Sequence, residues 1–211
     1  MGSLRRAPIG GAVLLLGLSL MACQAGPLGG APRDPAQLTV RSGEVPGDLQ
    51  RCPASGSVDH YLAEVKPKSQ ETYRAVQDAW LQLKRQGAQS GAVALFATGP
   101  AGCSARWGTA PGRSLANLVV GFQDDHAAAV AYQHGILGFP TPAADEQVPG
   151  VSLGIATGLS ENAWVAQRSV GGRNLYVAWW QDRAVATFLV TADLDTTESR
   201  RAAEAVEARI R

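Results

Sequence analysis

The sequence predicts an α+β domain with a mainly antiparallel sheet, a C-terminal three-strand meander and covering helices. Three observations support this class. The C-terminal third alternates apolar and polar residues in short segments that are separated by turn signals, as half-buried strands do. The dipeptide Gly171-Gly172 divides two of these segments, as in a tight hairpin. Helical segments are predicted over 69–86, 125–134 and 195–210, and runs of two and three strands separate them.

The first predicted helix begins at Ser69. Lys84 and Arg85 suit its C-terminal end, where the helix dipole favours cations, and Gly87 can end it. Its apolar stripe consists of Tyr73, Val76, Trp80 and Leu83.

Two buried strands are predicted next, over 91–99 and 114–122. The segment between them is rich in Gly and Pro, contains Cys103 and Trp107, and is interpreted as a loop.

The second predicted helix covers 125–134 and has Asp124 and Asp125 as N-cap candidates. The segment GILGF (135–139) after it is similar to the carboxylate-binding loop of PDZ domains. In that family the loop opens onto a strand that receives the peptide, whereas Pro140 follows at once here and removes a backbone donor. The segment is therefore interpreted as a helix stop.

The meander is predicted from the segments 163–170, 173–181 and 183–191. A tight turn at Gly171-Gly172 places Trp164 opposite Trp179, and a second turn at 181–182 places Leu175 opposite Phe188. The last helix follows, with a capping box formed by Asp195 and Glu198.

Alternation divides the meander into two faces. The more apolar face is expected to be the core side, covered by the C-terminal helix, whereas the other face is mixed. The apolar face carries Trp164, Ala166, Leu175, Val177, Trp179, Ala184, Ala186, Phe188 and Val190. The mixed face carries Val165, Gln167, Ser169, Tyr176, Trp180, Val185, Thr187 and Leu189.

The N-terminus has the pattern of an export signal. Arg5 and Arg6 precede an uncharged apolar run over 9–20, which is too short for the roughly 20 residues that a membrane-spanning helix needs. The sequence Leu-Met-Ala before Cys23 resembles the lipobox of bacterial lipoproteins. This resemblance covers residues 1–23 only. It implies cleavage before Cys23 and a diacylglyceryl group on the Cys23 sulfur.

The predicted organisation has three parts: a signal peptide over 1–22, the lipidated Cys23 with a tether to 47, and one extracytoplasmic domain over 48–211. The stretch 24–47 contains five Gly and four Pro and little apolar periodicity, which is typical of a flexible segment. Gln24 differs from the Asp that retains some lipoproteins in the inner membrane. The outer membrane is therefore favoured if the host has two membranes.

The two cysteines of the predicted domain, Cys52 and Cys103, are interpreted as a disulfide, because export takes them to an oxidising compartment. The alternative is a catalytic thiol or a metal pair. It lacks both a C-x-x-C spacing and nearby histidines.

Composition and motifs narrow the function. The chain has 19 basic and 18 acidic residues, and loss of Arg5 and Arg6 with the signal peptide leaves a net charge of −1, which indicates no nucleic-acid partner. The sequence has no H-E-x-x-H, S-x-x-K or P-loop motif, and no metal or cofactor is expected.

Three functions remain open. The favoured one is a non-enzymatic domain, tethered to the bilayer by the lipid on Cys23, that binds a small molecule or an envelope protein. The order of elements is loosely similar to sensor-like and ligand-binding domains of other bacterial lipoproteins. The alternatives are a cell-envelope hydrolase with a scattered site, at Asp59-His60 or at Asp124-Asp125-His126, and a purely structural envelope protein.

Aromatic residues are the candidate contacts for a ligand or partner, because Trp and Tyr combine a large contact area with a polar tip. Trp107 lies in the predicted loop, and Tyr176 and Trp180 lie on the mixed face of the meander. A second covering helix, such as 69–86, would make Tyr176 and Trp180 core residues instead.

Overall fold

The computed structural model describes residues 33–211, which form one antiparallel sheet with helices on both faces. The predicted α+β class is confirmed. Among these residues, no helix is both long and apolar enough to cross a bilayer. The strands are β1 (Gln50–Arg51), β2 (Gly56–Ser57), β3 (Ala88–Ala97), β4 (Ser114–Phe122), β5 (Val151–Leu153), β6 (Asn162–Val170), β7 (Arg173–Asp182) and β8 (Val185–Ala192). The helices are α1 (Pro35–Leu38), α2 (Val58–Val65), α3 (Gln70–Arg85), α4 (Asp125–His134) and α5 (Thr196–Ile210).

The strand order is β1-β3-β4-β8-β7-β6-β5, and β2 also pairs with β3. All pairs are antiparallel. The predicted meander β6-β7-β8 is present and joins the N-terminal hairpin β3-β4 through the β4-β8 pair. Strand β4 lies inside the sheet between β3 and β8, and it is buried along its whole length.

The registers of the two meander hairpins differ in how well they were predicted. In the first hairpin Trp164 lies opposite Trp179, as expected. In the second, Leu175 lies opposite Ala192 and not Phe188, because β7 continues and the turn falls two residues later than predicted. The register difference is four residues, an even number, so every side chain keeps its predicted face.

The more apolar face of the meander is buried, as predicted, but different helices cover it. Trp164, Trp179 and Phe188 pack in one cluster with residues of α2, α3 and α4. The expectation that the C-terminal helix covers this face is wrong. Alternation identifies an apolar face but carries no information on which helix reaches it.

Helix α5 covers the opposite face of the sheet, which the sequence presented as mixed. Its residues Ala202, Ala203, Val206 and Ile210 pack with Trp180 and Leu189 in a second cluster. The polar groups of this face are buried in part through hydrogen bonds across the interface. The Thr191 and Ser199 hydroxyls, for example, lie 2.8 Å apart and share one.

The packed region begins earlier than the predicted boundary at Asp48, within the stretch that was predicted to be a tether. Leu38 and Val40 are buried in the α5-side cluster. The Val40 N–H donates to the buried Asn117 Oδ1 over 3.0 Å, and Asn117 in turn donates to the Phe188 carbonyl. The few apolar residues of this Gly- and Pro-rich segment pack on the α5 side of the sheet. Such packing does not require the segment itself to have a helical or strand periodicity.

The predicted disulfide between Cys52 and Cys103 is present, with 5.4 Å between the Cα atoms. It joins the residue after β1 to the end of a 3-10 turn, Pro100–Cys103, in the loop before β4. Cys52 is buried and Cys103 is half-buried.

Candidate functional site

The α2–α4 side of the sheet carries an apolar cleft that is open to solvent. Its walls are α3, the loop before β4 and the loop after α4, and its floor is β8. It encloses about 400 Å³ when the open mouth is included. The residues that line this cleft are Thr72, Ala75, Val76, Arg106, Trp107, Leu137, Phe139, Phe188 and Val190.

Trp107, a candidate from the sequence, forms part of one wall and is half-buried. Its indole Nε1 donates to the Tyr61 hydroxyl over 2.9 Å. Its ring lies nearly parallel to Phe188, with 6.2 Å between centroids. Gly108 follows with a φ of +79°, and a Cβ there would approach Val190 to 3.2 Å. The turn that aims the indole into the cleft therefore requires glycine.

The loop that carries Trp107 is fixed at two points to the same part of the chain. The disulfide attaches Cys103 to the segment after β1, and the indole hydrogen bond attaches Trp107 to α2. Both attachments restrict the loop, so this wall is held in place before any ligand arrives.

Tyr61 is a buried partner whose hydroxyl stays protonated at neutral pH. Burial raises the pKa of the Tyr61 hydroxyl well above its ordinary value, and the hydrogen bond from Trp107 lowers it by a smaller amount. The neutral hydroxyl accepts the indole N–H and serves a structural purpose in the wall.

The segment GILGF, interpreted as a helix stop, has a second role as the other wall. Gly135 ends α4 with a φ of +74°, and a Cβ there would lie 2.1 Å from the Phe139 carbonyl oxygen. Ile136 and Phe139 exchange two backbone hydrogen bonds of 2.9 and 2.8 Å. This tight turn presents Phe139, which remains 40% exposed, beside Phe188 at 5.8 Å between ring centroids.

Two lining residues are polar. The buried Thr72 hydroxyl accepts a hydrogen bond of 2.9 Å from Ser69. The Arg106 guanidinium lies at the rim, 57% exposed, and meets Glu71 at 3.3 Å. Among the residues that line the cleft, Arg106 is the only one with a charge.

The other two aromatic candidates are core residues, which corrects the prediction that they contact a ligand. Trp180 is fully buried under α5, where its Nε1 donates to Glu207 over 2.9 Å. Tyr176 is 4% exposed in the same cluster, and burial raises its pKa to about 12. The covering helix is α5, and α3, the one considered from the sequence, lies on the opposite face.

The pairs considered for a hydrolase do not form acid-base arrangements in the described chain. His60 is exposed at the start of α2, and its Nε2 lies 3.1 Å from the Pro53 carbonyl oxygen. Asp124 caps α4 by accepting from the Ala127 N–H over 2.8 Å. Asp125 and His126 are exposed on the first turn of that helix.

Within residues 33–211, no group of three or more His, Cys, Asp or Glu side chains is arranged to hold a metal ion. Cys23 and the signal peptide lie outside the described residues, so lipidation stays a prediction.

Most of the cleft was missed from the sequence. Seven of the lining residues come from three separate elements, and the local sequence identifies each of them only as a residue of a helix, loop or strand. These residues are Thr72, Ala75, Val76, Leu137, Phe139, Phe188 and Val190. The one local signal was the pair Phe139-Pro140, an aromatic residue after a helix stop, where no strand or helix can bury it.

No family model and no curated protein matches the chain. Among solved structures, the extracellular domain of PknH from Mycobacterium tuberculosis is similar to it at 12% sequence identity and a TM-score of 0.45. The match covers 86% of this chain and 98% of the other. This degree of similarity assigns neither a family nor a function.

Proposed function

We propose that this protein is a lipid-anchored extracytoplasmic domain that binds an apolar ligand or the apolar part of a partner in the cleft. The observation that carries the proposal is the pair of aromatic walls, with Trp107 half-buried and Phe139 40% exposed around an open apolar space. Concave apolar sites with a few polar groups are typical of ligand binding.

The disulfide supports an extracytoplasmic location. Disulfides persist in oxidising compartments and are rare in the reducing cytosol. Together with the export signal and lipobox of residues 1–23, the Cys52–Cys103 bond favours a domain outside the cell membrane.

The start of the described chain lies away from the cleft. Arg33 donates to the carbonyl oxygens of Arg209 and Ile210 at the C-terminal end of α5. Helix α5 and the cleft occupy opposite faces of the sheet. The first described residue is therefore held on the α5 face, opposite the cleft.

The lining favours binding over catalysis. General acid-base and nucleophilic mechanisms need a His, carboxylate, thiol or activated hydroxyl at the reacting atoms. The cleft offers an arginine and a threonine hydroxyl that is already bonded to Ser69.

The anchor is tested by mass spectrometry of the native N-terminus. We expect an acylated Cys23 as the first residue, and an unprocessed precursor when Cys23→Ala is expressed. An unmodified N-terminal peptide on the wild-type chain would overturn the lipoprotein assignment.

Cleft binding is tested with a neutral apolar probe. The full chain in nanodiscs of zwitterionic lipid is titrated with 1-octanol by calorimetry, with empty nanodiscs as the blank. We expect saturable binding that is lost in Ala75→Phe, which fills the cleft from α3, and kept in Ala208→Phe, on the exposed side of α5. Equal binding by both variants would exclude the cleft as the site.

A further inference from the structure

We infer that the ligand of the cleft is a single-chain amphiphile with an anionic head group, held by the Arg106 guanidinium at the rim. This inference rests on the proposed function and names its ligand class. Two properties of the cleft carry it: the small volume of the apolar part and the position of its one charged group.

The apolar part is small, with a cavity volume of about 40 Å³ between the walls. A cavity needs roughly 10–15 Å³ to hold one water, so this space admits only a few methylene-sized groups. The end of an alkyl chain is of this size, whereas a fused ring system exceeds it.

The charged group is at the rim and not in the depth. Arg106 lines the cleft and its side chain is 57% exposed, so its guanidinium lies on the solvent side of the apolar space. A planar guanidinium forms bidentate bonds to carboxylate and phosphate oxygens. A chain that enters the cleft thus leaves its head group beside a complementary charge.

The existing partner of Arg106 is weakly held. The Arg106–Glu71 pair measures 3.3 Å, and the two side chains are 57% and 76% exposed. Exposed ion pairs contribute little, about 0–1 kcal/mol, because water solvates both charges. An incoming anion can replace Glu71, which competes for the same guanidinium.

An extended peptide is a poorer occupant. Helix α3 offers only side chains, since its backbone groups bond within the helix, and the turn 136–139 bonds its N–H and C=O groups internally. A peptide backbone in this cleft would leave its own polar groups without partners, which costs free energy at each residue.

The test compares head groups on one chain length. Octanoate, octyl phosphate, 1-octanol and octyltrimethylammonium are titrated into the full chain in zwitterionic nanodiscs. We expect at least one of the two anions to bind about three- to tenfold more tightly than 1-octanol, the size of an exposed charge-assisted hydrogen bond. Octanoate against octyl phosphate tells carboxylate from phosphate recognition.

Three variants test whether the preference for anionic head groups depends on Arg106 at the rim. Arg106→Gln should remove the preference for anions, so that octanoate and octyl phosphate bind no more tightly than 1-octanol. The matched control Arg201→Gln, exposed on α5, should leave this preference unchanged. Glu71→Gln should raise the affinity for the preferred anion, because the competitor is gone, without altering 1-octanol binding.

The outcomes separate the two proposals. Equal affinity for all four head groups, or an anion preference that survives Arg106→Gln, overturns the inference and leaves cleft binding standing. No binding of any probe overturns cleft binding itself.

Discussion

At the scale of single residues, the wall of the cleft depends on one hydrogen bond between buried or half-buried aromatic side chains. The Trp107 indole N–H donates a hydrogen bond to the Tyr61 hydroxyl, and Tyr61 is buried. A buried hydroxyl without its partner costs more free energy than the bond contributes. The pair therefore fixes the indole in one orientation.

Replacing the indole without emptying the wall tests this pair. Trp107→Phe keeps an aromatic ring but removes the N–H, and we expect the free energy of unfolding to fall by about 1–2 kcal/mol. Urea denaturation measures the change. In a double-mutant cycle with Tyr61→Phe, the two losses should be less than additive, and full additivity would show that the bond contributes nothing.

The buried tyrosines make stability sensitive to alkali. Burial raises the pKa of Tyr132 and Tyr176 to about 12, above the ordinary value of 10.0 that the unfolded chain has. Below pH 10 both states are protonated and the contribution is constant. Above it the unfolded state ionises first, so stability is lost as pH rises.

We expect the free energy of unfolding to fall by about 1.4 kcal/mol per pH unit for each such tyrosine between pH 10 and 12. Denaturation followed across this range measures the slope. Tyr176→Phe should reduce the slope by one group, and a wild-type stability that stays constant to pH 12 would contradict the assigned burial.

At the scale of elements, local signals predicted the type of the main helices and strands, and only the tertiary structure decided what each packs against. The capping box of Asp195 and Glu198 forms as predicted, with bonds of 3.0 and 2.8 Å. The strand at 114–122 and the helix at 125–134 have their predicted bounds. These features depend on residues a few positions apart.

The errors concern long-range packing. Trp180 lies on a face whose Thr and Gln residues suggested contact with solvent. Helix α5 covers that face, and its buried Glu207 carboxylate accepts a hydrogen bond from the Trp180 indole. No local sequence pattern predicts a hydrogen-bond partner that is 27 residues away. The cleft was missed for the same reason, because its residues converge only after the sheet has formed.

Glu207 tests how α5 is held on the sheet. It accepts from Trp180 inside the interface and from Arg211 Nε over 2.8 Å at its edge. Glu207→Ala should lower the free energy of unfolding by about 2 kcal/mol, since the indole N–H is left without a partner. The control Glu204→Ala, exposed one turn earlier, should change it by less than about 0.5 kcal/mol. Equal effects of both variants would contradict the assigned contact.

At the scale of the whole molecule, the two faces of the sheet carry different structural features. The α5 face holds the N-terminal segment, through bonds such as those from Arg209 to Glu44 and to the Thr39 carbonyl. The opposite face holds the cleft, and the disulfide connects the cleft wall to the start of the sheet. The N-terminal segment and the cleft therefore lie on different faces of the sheet.

The disulfide should matter for both stability and binding. The double variant Cys52→Ser, Cys103→Ser should lose at most about 4 kcal/mol of unfolding free energy, the chain-entropy value for a loop of this length. It should also bind 1-octanol more weakly, because the Trp107 loop loses its covalent link to the segment after β1. Denaturation and calorimetry, with reduced wild-type protein as the control, measure the two effects. Unchanged stability would show that the bond does not constrain the fold.

The most direct test of the account is where a ligand binds. Methyl and indole NMR spectra of the full chain in nanodiscs are recorded during a titration with octanoate. We predict saturable shifts at Val76, Leu137, Val190 and the Trp107 indole, and none at Ile155, an exposed residue of the 3-10 turn Gly154–Thr157 that does not line the cleft. Shifts confined to other parts of the molecule, or no saturable shift at all, would contradict the assignment of the cleft as the binding site.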